Sequence, residues 1–322
     1  MRRKRNLLVG TLAAALGVAT VAMIRSARRS QRVARALPPR EVAATFTERT
    51  AFVQGVQMRW LEHGQGYPVV LVHGIPTSPE LWRRVLPRLR GARALAWEMV
   101  GYGKSIPEGR GRDISVAKQA DYLAAWIRQL GIDRAVLVGH DLGGGVMQIA
   151  AARYPGLCAG LLLTNAVGYD SWPIPEVKAI RAAGGLVKRL PNLAIKFIHS
   201  TLFRLGHDDP EMAREASAFH WRNYARHGAA AAFVRQVRSL DVRDTLAVQS
   251  ALPHLNVPAR VAWGVGDQFQ KVHYGERFAR DLGTSLRRIE GGKHFTPEDH
   301  PEVIAEALDD LILEVQTEAA YT

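Results

Sequence analysis

The sequence predicts an α/β fold, a mostly parallel sheet flanked by helices, and three observations carry that reading. Solid apolar runs of four to six residues, rich in β-branched side chains, recur along the chain. Segments with helical spacing separate most of them. Strands without polar alternation are buried on both faces, which is the habit of parallel sheets covered by helices. The third observation is A-V-L-V-G-H-D-L-G-G, Ala135 to Gly144, where such a run breaks into a glycine-flanked turn and then a helical pattern. A chain of 322 residues with 47% hydrophobic content can bury a large core, so one sizeable domain with an insertion fits its length.

Taken in order, residues 1–44 read as a hydrophobic anchor followed by a basic linker. Leu7 to Ile24 is an uncharged, mostly apolar run of 18 residues, which as a helix spans roughly 27 Å at about 1.5 Å per residue. Arg2, Arg3, Lys4 and Arg5 precede it; Arg25, Arg28, Arg29, Arg32, Arg35 and Arg40 follow. A signal anchor is favoured over a cleaved signal peptide, because arginines crowd the region where a small-residue cleavage site belongs. An interfacial amphipathic segment is the third reading. Both flanks are positive, so the positive-inside preference assigns no side to the rest of the chain. Pro38-Pro39 closes the segment as a stiff linker.

A hairpin around Gln54-Gly55, within Ala51 to Glu62, opens the sheet with two antiparallel strands. Six apolar strands follow: Pro68–Val72, Ala92–Trp97, Ala135–Val138, Gly160–Thr164, Ala259–Trp263 and Leu286–Ile289, each expected to be buried on both faces. Helical patterns occupy Pro79–Leu89, Ser115–Leu130, Leu142–Tyr154, Tyr274–Asp281 and Pro301–Val315. The alternation gives an eight-stranded sheet built from residues 45–168 and 253–322. Between them, residues 169–252 mix proline, aromatic and basic residues with helical stretches and show no strand pattern, so they are expected to form a helical cap inserted after the sixth strand.

Reactive side chains gather where strands of such a sheet end. Asp141 stands on the strand-turn-helix corner, with Gly139, Gly143 and Gly144 as small neighbours. His73 to Ser78, H-G-I-P-T-S, follows another strand. Asp267 sits in the G-V-G-D-Q turn after a third, and His294 lies on the glycine-rich E-G-G-K-H-F loop before the last helix. Asp170, just after the sixth strand, rivals Asp267 as the acid. The chain from about Thr45 to Val315 resembles the α/β-hydrolase family in its aspartate-nucleophile branch, typified by epoxide hydrolases and haloalkane dehalogenases. The resemblance implies that Asp141 is the nucleophile, His294 the base and Asp267 the acid that orients it, in the family's chain order. It also implies an oxyanion hole made by the backbone N–H groups of Ile75 and Leu142.

The implied reaction is displacement at a saturated carbon of a small hydrophobic organic substrate, through an alkyl ester that water then cleaves. Dehalogenases commonly place Trp after the nucleophile and Asn in the H-G-N-P motif; here Leu142 and Ile75 stand at those places. An epoxide hydrolase-like reaction is therefore preferred, with haloalkane or halo-acid dehalogenation as the alternative. An ester hydrolase of the same fold and a noncatalytic small-molecule receptor are the remaining readings. Tyr169 and Tyr224 are candidate donors to the leaving group, and Trp172 and Trp221 are candidate replacements for the halide donors.

Other classes are excluded. Of the formal charge of +13, ten basic residues and no acid fall in residues 1–40; the remainder carries 33 basic against 30 acidic residues, so nucleic acid is set aside. Gly103-Lys104-Ser105 lacks the first glycine of a phosphate loop, and the elbow lacks the dinucleotide order. Histidine and acid spacings suggest no metal site, no cofactor is implied, and Cys158, the only cysteine, reads as a buried thiol. The apolar run 7–24 makes the protein membrane-associated in expectation. The full-length protein should sediment with membranes and resist carbonate or high-salt extraction, whereas a chain shortened to begin near Thr45 should be soluble. Release of the full-length protein by salt alone would indicate electrostatic surface binding instead.

Overall fold

The computed structural model describes residues 46–321. The apolar run 7–24 lies outside the described residues. Among the described residues, no helix is long and apolar enough to cross a membrane.

A hairpin, β1 (Thr47–Val53) and β2 (Val56–His63), opens the sheet and turns at Gln54-Gly55, both at positive φ. The strands β3 (Tyr67–Val72), β4 (Ala92–Trp97), β5 (Ala135–His140), β6 (Cys158–Thr164), β7 (Ala259–Gly264) and β8 (Leu286–Ile289) complete one sheet in the order β1-β2-β4-β3-β5-β6-β7-β8. β1, β2 and β4 pair antiparallel; the rest are parallel. The register sets Val72 beside Gly139, Gly139 beside Leu163, and Gly264 beside Ile289. Their carboxyl ends therefore open on one edge, where the connecting loops can meet.

Helices cover both faces. α1 (Val116–Gln129) and α2 (Leu142–Arg153) pack on one side, where Val70, Val72, Leu137 and Leu163 join Trp97 and Trp126 in one core. The alternate residues Val69, Leu71, Val136 and Leu162 enter a second core on the opposite face. Between β6 and β7 the chain forms only helices: α3 (Pro175–Ala182), α4 (Gly184–Val187), α5 (Asn192–Gly206), α6 (Pro210–Arg226), α7 (Ala229–Arg238) and α8 (Arg243–Leu246), with a core of their own around Ile195, Tyr224 and Phe233. After β7 come α9 (Val272–Asp281), the short α10 (Thr296–Asp299) and α11 (Pro301–Tyr321), the last packing against the second core through Ile304, Leu308 and Leu311.

Two local expectations need correction. Pro79–Leu89 is not one helix but two 3-10 turns, Pro79–Trp82 and Leu86–Arg88. Pro87 has no N–H to complete the helical ladder, so the chain closes with three-residue bonds such as Arg88 N–H to Val85 O. β8 is not buried on both faces: it is the edge strand, with Arg288 exposed and only Ile289 buried. In Gly103-Lys104-Ser105 Lys104 is exposed, while Ser105 is held inward by Glu98, whose carboxylate accepts from the Ser105 N–H and hydroxyl at 2.8 and 2.7 Å and from Arg59 at 2.7 Å.

Helix α2 starts directly under β3, and Gly143 is the point of closest approach. A Cβ there would lie 2.1 Å from Val72 O and 2.7 Å from His73 O, both backbone atoms that cannot swing away. Gly143→Ala is expected to lower the unfolding free energy by about 3 kcal/mol. Gly156→Ala, where a Cβ meets open space, should change it by less than about 1 kcal/mol, in the stabilising direction. Denaturant midpoints measured side by side check the pair.

Candidate active site

Four strand ends converge on Asp141. It follows β5 at φ 50° and ψ −122°, a conformation costing about 1–3 kcal/mol for a residue with a Cβ. The neighbouring loop fixes it: Asp141 N–H donates to Asn165 O at 3.2 Å, and Asp141 O accepts from Val167 N–H at 3.0 Å. The backbone bend lifts the carboxylate toward the loop after β3. There the Ile75 N–H donates to Asp141 Oδ2 at 2.9 Å, and the Leu142 N–H also bonds the carboxylate. Gly74 permits this approach, because a Cβ on it would sit 2.3 Å from Oδ2.

His294, on the loop after β8, donates from Nδ1 to Asp267 Oδ2 at 2.8 Å. That bond leaves Nε2 as the nitrogen able to accept a proton. Asp267 is saturated with donors: Oδ1 accepts from the N–H groups of Phe269 and Gln270 at 2.7 and 3.0 Å, and Oδ2 from Asn165 Nδ2 at 2.7 Å. The rival acid is elsewhere. Asp170 is exposed and accepts from the Tyr274 hydroxyl at 3.2 Å.

Asp141, Asp267 and His294 are all buried, so their charges act strongly on one another. Burial raises the Asp141 pKa, against the pull of His294 and the two N–H donors. Burial alone would lower that of His294, but the carboxylates of Asp267 and Asp141 overcome it and hold the imidazole above its ordinary value. His140, whose ring lies tilted with its centroid 4.7 Å away, is pushed well below that value, first by burial and then by His294. It is neutral and donates from Nε2 to His294 O at 2.9 Å.

Above these groups lies a cavity of about 70 Å³. The inserted helices supply much of its wall through Trp172, Val177, Leu202 and Phe233. Its free polar side chains are Asp141, His294 and Gln270. Gln270 is buried, and its Oε1 has no hydrogen-bond partner.

The four candidate leaving-group donors are not available there. The Tyr169 hydroxyl donates to Asp281 Oδ2 at 2.8 Å and its ring lies under the Arg277 guanidinium, so it is a packing residue against α9. The Tyr224 hydroxyl donates to Gln236 Oε1 at 2.7 Å inside the helical layer. Trp172 does line the cavity, but its Nε1 is spent on Thr245 Oγ1 at 2.8 Å. Trp221 is half-buried, stacks on Tyr224 and is not part of the wall.

Two positioning groups escaped the sequence reading. Asn165 holds Asp267 through its amide while its Oδ1 accepts from Gly264 N–H at 3.1 Å and Thr296 Oγ1 at 3.1 Å. Its place at the carboxyl end of β6 was the available signal. The junction after α5 holds the histidine loop: Gly206 O accepts from the N–H groups of His294 and Phe295 at 2.9 and 3.1 Å, and Asp208 Oδ1 from Lys293 N–H at 2.7 Å.

The raised His294 pKa generates a prediction. Its contribution to stability is fully present below the unfolded value, near 6.5, and is lost as pH rises through the folded value. Imidazole NMR should show His294 titrating above 6.5 in the native protein, and Asp267→Asn should bring it down toward or below that value. A His294 midpoint unmoved by Asp267→Asn would contradict the assigned pairing.

Comparison with known proteins adds four findings. A family model described as the alpha/beta hydrolase fold matches residues 67–301. The soluble epoxide hydrolase of Corynebacterium sp. (strain C12) is 25% identical over 288 residues, covering 82% of this chain and 96% of that protein. The haloalkane dehalogenase of Agrobacterium fabrum is 37% identical over 102 residues, 31% of this chain and 33% of that protein. Among solved structures, an alpha/beta hydrolase fold protein from Burkholderia ambifaria superposes with a TM-score of 0.74 at 26% identity, covering 83% of this chain and 99% of that one.

Proposed function

Because the chain belongs to the alpha/beta hydrolase fold family, we propose that it is a hydrolase in which Asp141 attacks a saturated carbon and His294 resolves the resulting ester. One observation carries this reading. The Ile75 N–H, which would hold a substrate oxygen in a serine hydrolase, is here already bound to Oδ2 of Asp141, and the Leu142 N–H also acts on that carboxylate. Oδ2 is fixed, so Oδ1 is the atom free to attack.

In the first step Oδ1 forms a C–O bond as the bond from carbon to the leaving group breaks with its electron pair. The product is an alkyl ester whose carbonyl oxygen, Oδ2, already accepts from the Ile75 N–H. In the second step water attacks Cγ of Asp141 while its proton passes to Nε2 of His294, and Asp267 stabilises the imidazolium. The oxyanion forms on Oδ2, where each N–H donor lowers the barrier by a few kcal/mol in comparable sites, ~2.7–4 kcal/mol. Collapse expels the alcohol oxygen, which takes the proton back, and the carboxylate is regenerated with one oxygen from water.

The apolar wall suits a small hydrophobic substrate. For an epoxide, a proton donor would be needed at the opening oxygen, and the hydroxyls of Tyr169 and Tyr224 are engaged elsewhere. The dehalogenase reading rests on Gln270: its buried Oε1 is an acceptor with no donor, and with the amide turned over an N–H group would take that place, which suits an ion that leaves without a proton.

His294→Gln should still be alkylated but not release product, so intact mass after exposure to haloalkanes or epoxides should show an adduct on the peptide containing Asp141. Asp141→Ala should abolish adduct and turnover, and Gln270→Leu should slow adduct formation about 10-fold or more. Single turnover of the native enzyme in heavy-oxygen water should leave the label in the Asp141 carboxylate. Label appearing directly in the product, with no adduct in the His294 variant, would mean that water attacks the substrate itself.

A further inference from the structure

The inserted helices have an outer face as well as a cavity face. Five large apolar side chains are well exposed among the described residues, and three of them, Leu186, Leu193 and Phe197, fall within twelve positions on α4 and α5. Leu193 is 77% exposed and Phe197 66%. They stand one helical turn apart, so they form one apolar ridge. The opposite stripe of α5, Ile195, His199 and Phe203, is buried in the helical layer, and Leu202 reaches the cavity wall. Helix α5 is thus apolar on both sides, which core packing alone does not require.

The charge around the ridge is of one sign. Residues 177–207 contain Lys178, Arg181, Lys188, Arg189, Lys196 and Arg204 and no Asp or Glu. None of the six is held in an ion pair among the described residues, whereas Arg59, Arg88 and Arg288 elsewhere are each paired with a carboxylate. Arg181 is spent on Leu240 O at 2.7 Å, but exposed apolar tips flanked by the other cations, without carboxylate partners, are the chemistry of contact with an anionic lipid surface. A second copy of this chain is a poor occupant, because a two-fold contact would set the same cations against one another.

We propose that the face formed by α4 and α5 docks on an anionic lipid bilayer, with Leu193 and Phe197 entering the headgroup region and Lys188, Arg189 and Lys196 against lipid phosphates. The inference is independent of the catalytic reading. The sequence supplies a second lipid-seeking segment in its apolar run 7–24, so the test must report on the face itself.

A Phe197→Cys variant of the full chain, labelled with an environment-sensitive fluorophore, provides that report; native Cys158 is buried, and its thiol pKa is pushed up to about 12 by burial, so it does not compete. Leu313→Cys on α11, also exposed, is the reference. With vesicles of phosphatidylglycerol and phosphatidylcholine carrying a lipid-borne quencher, the label at 197 should shift to the blue and lose at least half its emission, while that at 313 stays unchanged. Lys188→Glu, Arg189→Glu and Lys196→Glu together should abolish the response at 197. Equal responses at 197 and 313, no response at 197, or an equal response with pure phosphatidylcholine would overturn the proposal. A blue shift at 197 that grows with protein concentration in the absence of vesicles would overturn it in favour of a second copy.

Discussion

The hydrogen bond from Ile75 N–H to Asp141 Oδ2 is the constraint around which the site is arranged. It requires a carboxylate raised on a sharply bent backbone and a loop pressed against it without a side chain in between. The bend is met by φ 50° at Asp141, held by the backbone of Asn165 and Val167. The close approach is met by Gly74 and by Gly143, whose missing side chains let the β3 loop, the elbow and the first turn of α2 share one volume. Both requirements are satisfied because β3, β5 and β6 are neighbours in parallel register and their loops leave the same edge. Lose the register and the bond has no geometry.

The proposed base is held differently. His294 lies on a long loop after an edge strand only four residues long, which by itself is a poor platform for a side chain that must be aimed. Precision comes from outside the sheet. Asp267 fixes Nδ1 from the β7 loop, Asn165 fixes Asp267 from the β6 end, and the junction after α5 takes the N–H groups of Lys293, His294 and Phe295. The inserted helices therefore do more than roof the cavity. A shift of α5 would move the histidine loop and the cavity wall together, because Leu202 and Gly206 belong to the same helix.

Much of this was readable from residue order. Most strands declared themselves by apolar runs, and the expected spans Ala92–Trp97 and Leu286–Ile289 coincide with the observed ones, the latter although it reads L-R-R-I. Asp141, Asp267 and His294 were found because a strand end, a glycine turn and a reactive side chain fall together at each. What escaped depends on distant partners. Tyr169 and Tyr224 carry the right hydroxyl for a donor, but no local pattern tells that Asp281 lies 112 residues away to receive one and Gln236 across a helix pair to receive the other. The Pro79–Leu89 expectation failed for a local reason, since the apolar spacing outweighed the missing N–H of Pro87. Asn165 was passed over because an amide titrates nothing, although its position at a strand end was informative.

The same logic explains why the leaving group is the hardest feature to read. In the proposed reaction attack and hydrolysis would use backbone N–H groups and a histidine fixed by the fold, so their residues follow from strand order. Stabilising what departs needs only one donor facing the cavity, and any inserted helix or turn can supply it. In the proposed reaction the turn after β7 is the candidate source: Asp267 takes the backbone N–H groups of Phe269 and Gln270, Trp263 Nε1 donates to Gln270 O at 2.9 Å, and the Gln270 amide is left against an apolar wall. Burying an amide oxygen without a partner costs ~1–3 kcal/mol, which a ligand that turns the amide to its own use would recover. The loop after β7 thus holds His294 with one carboxylate and, through the same backbone bonds, brings a second polar group to the cavity wall.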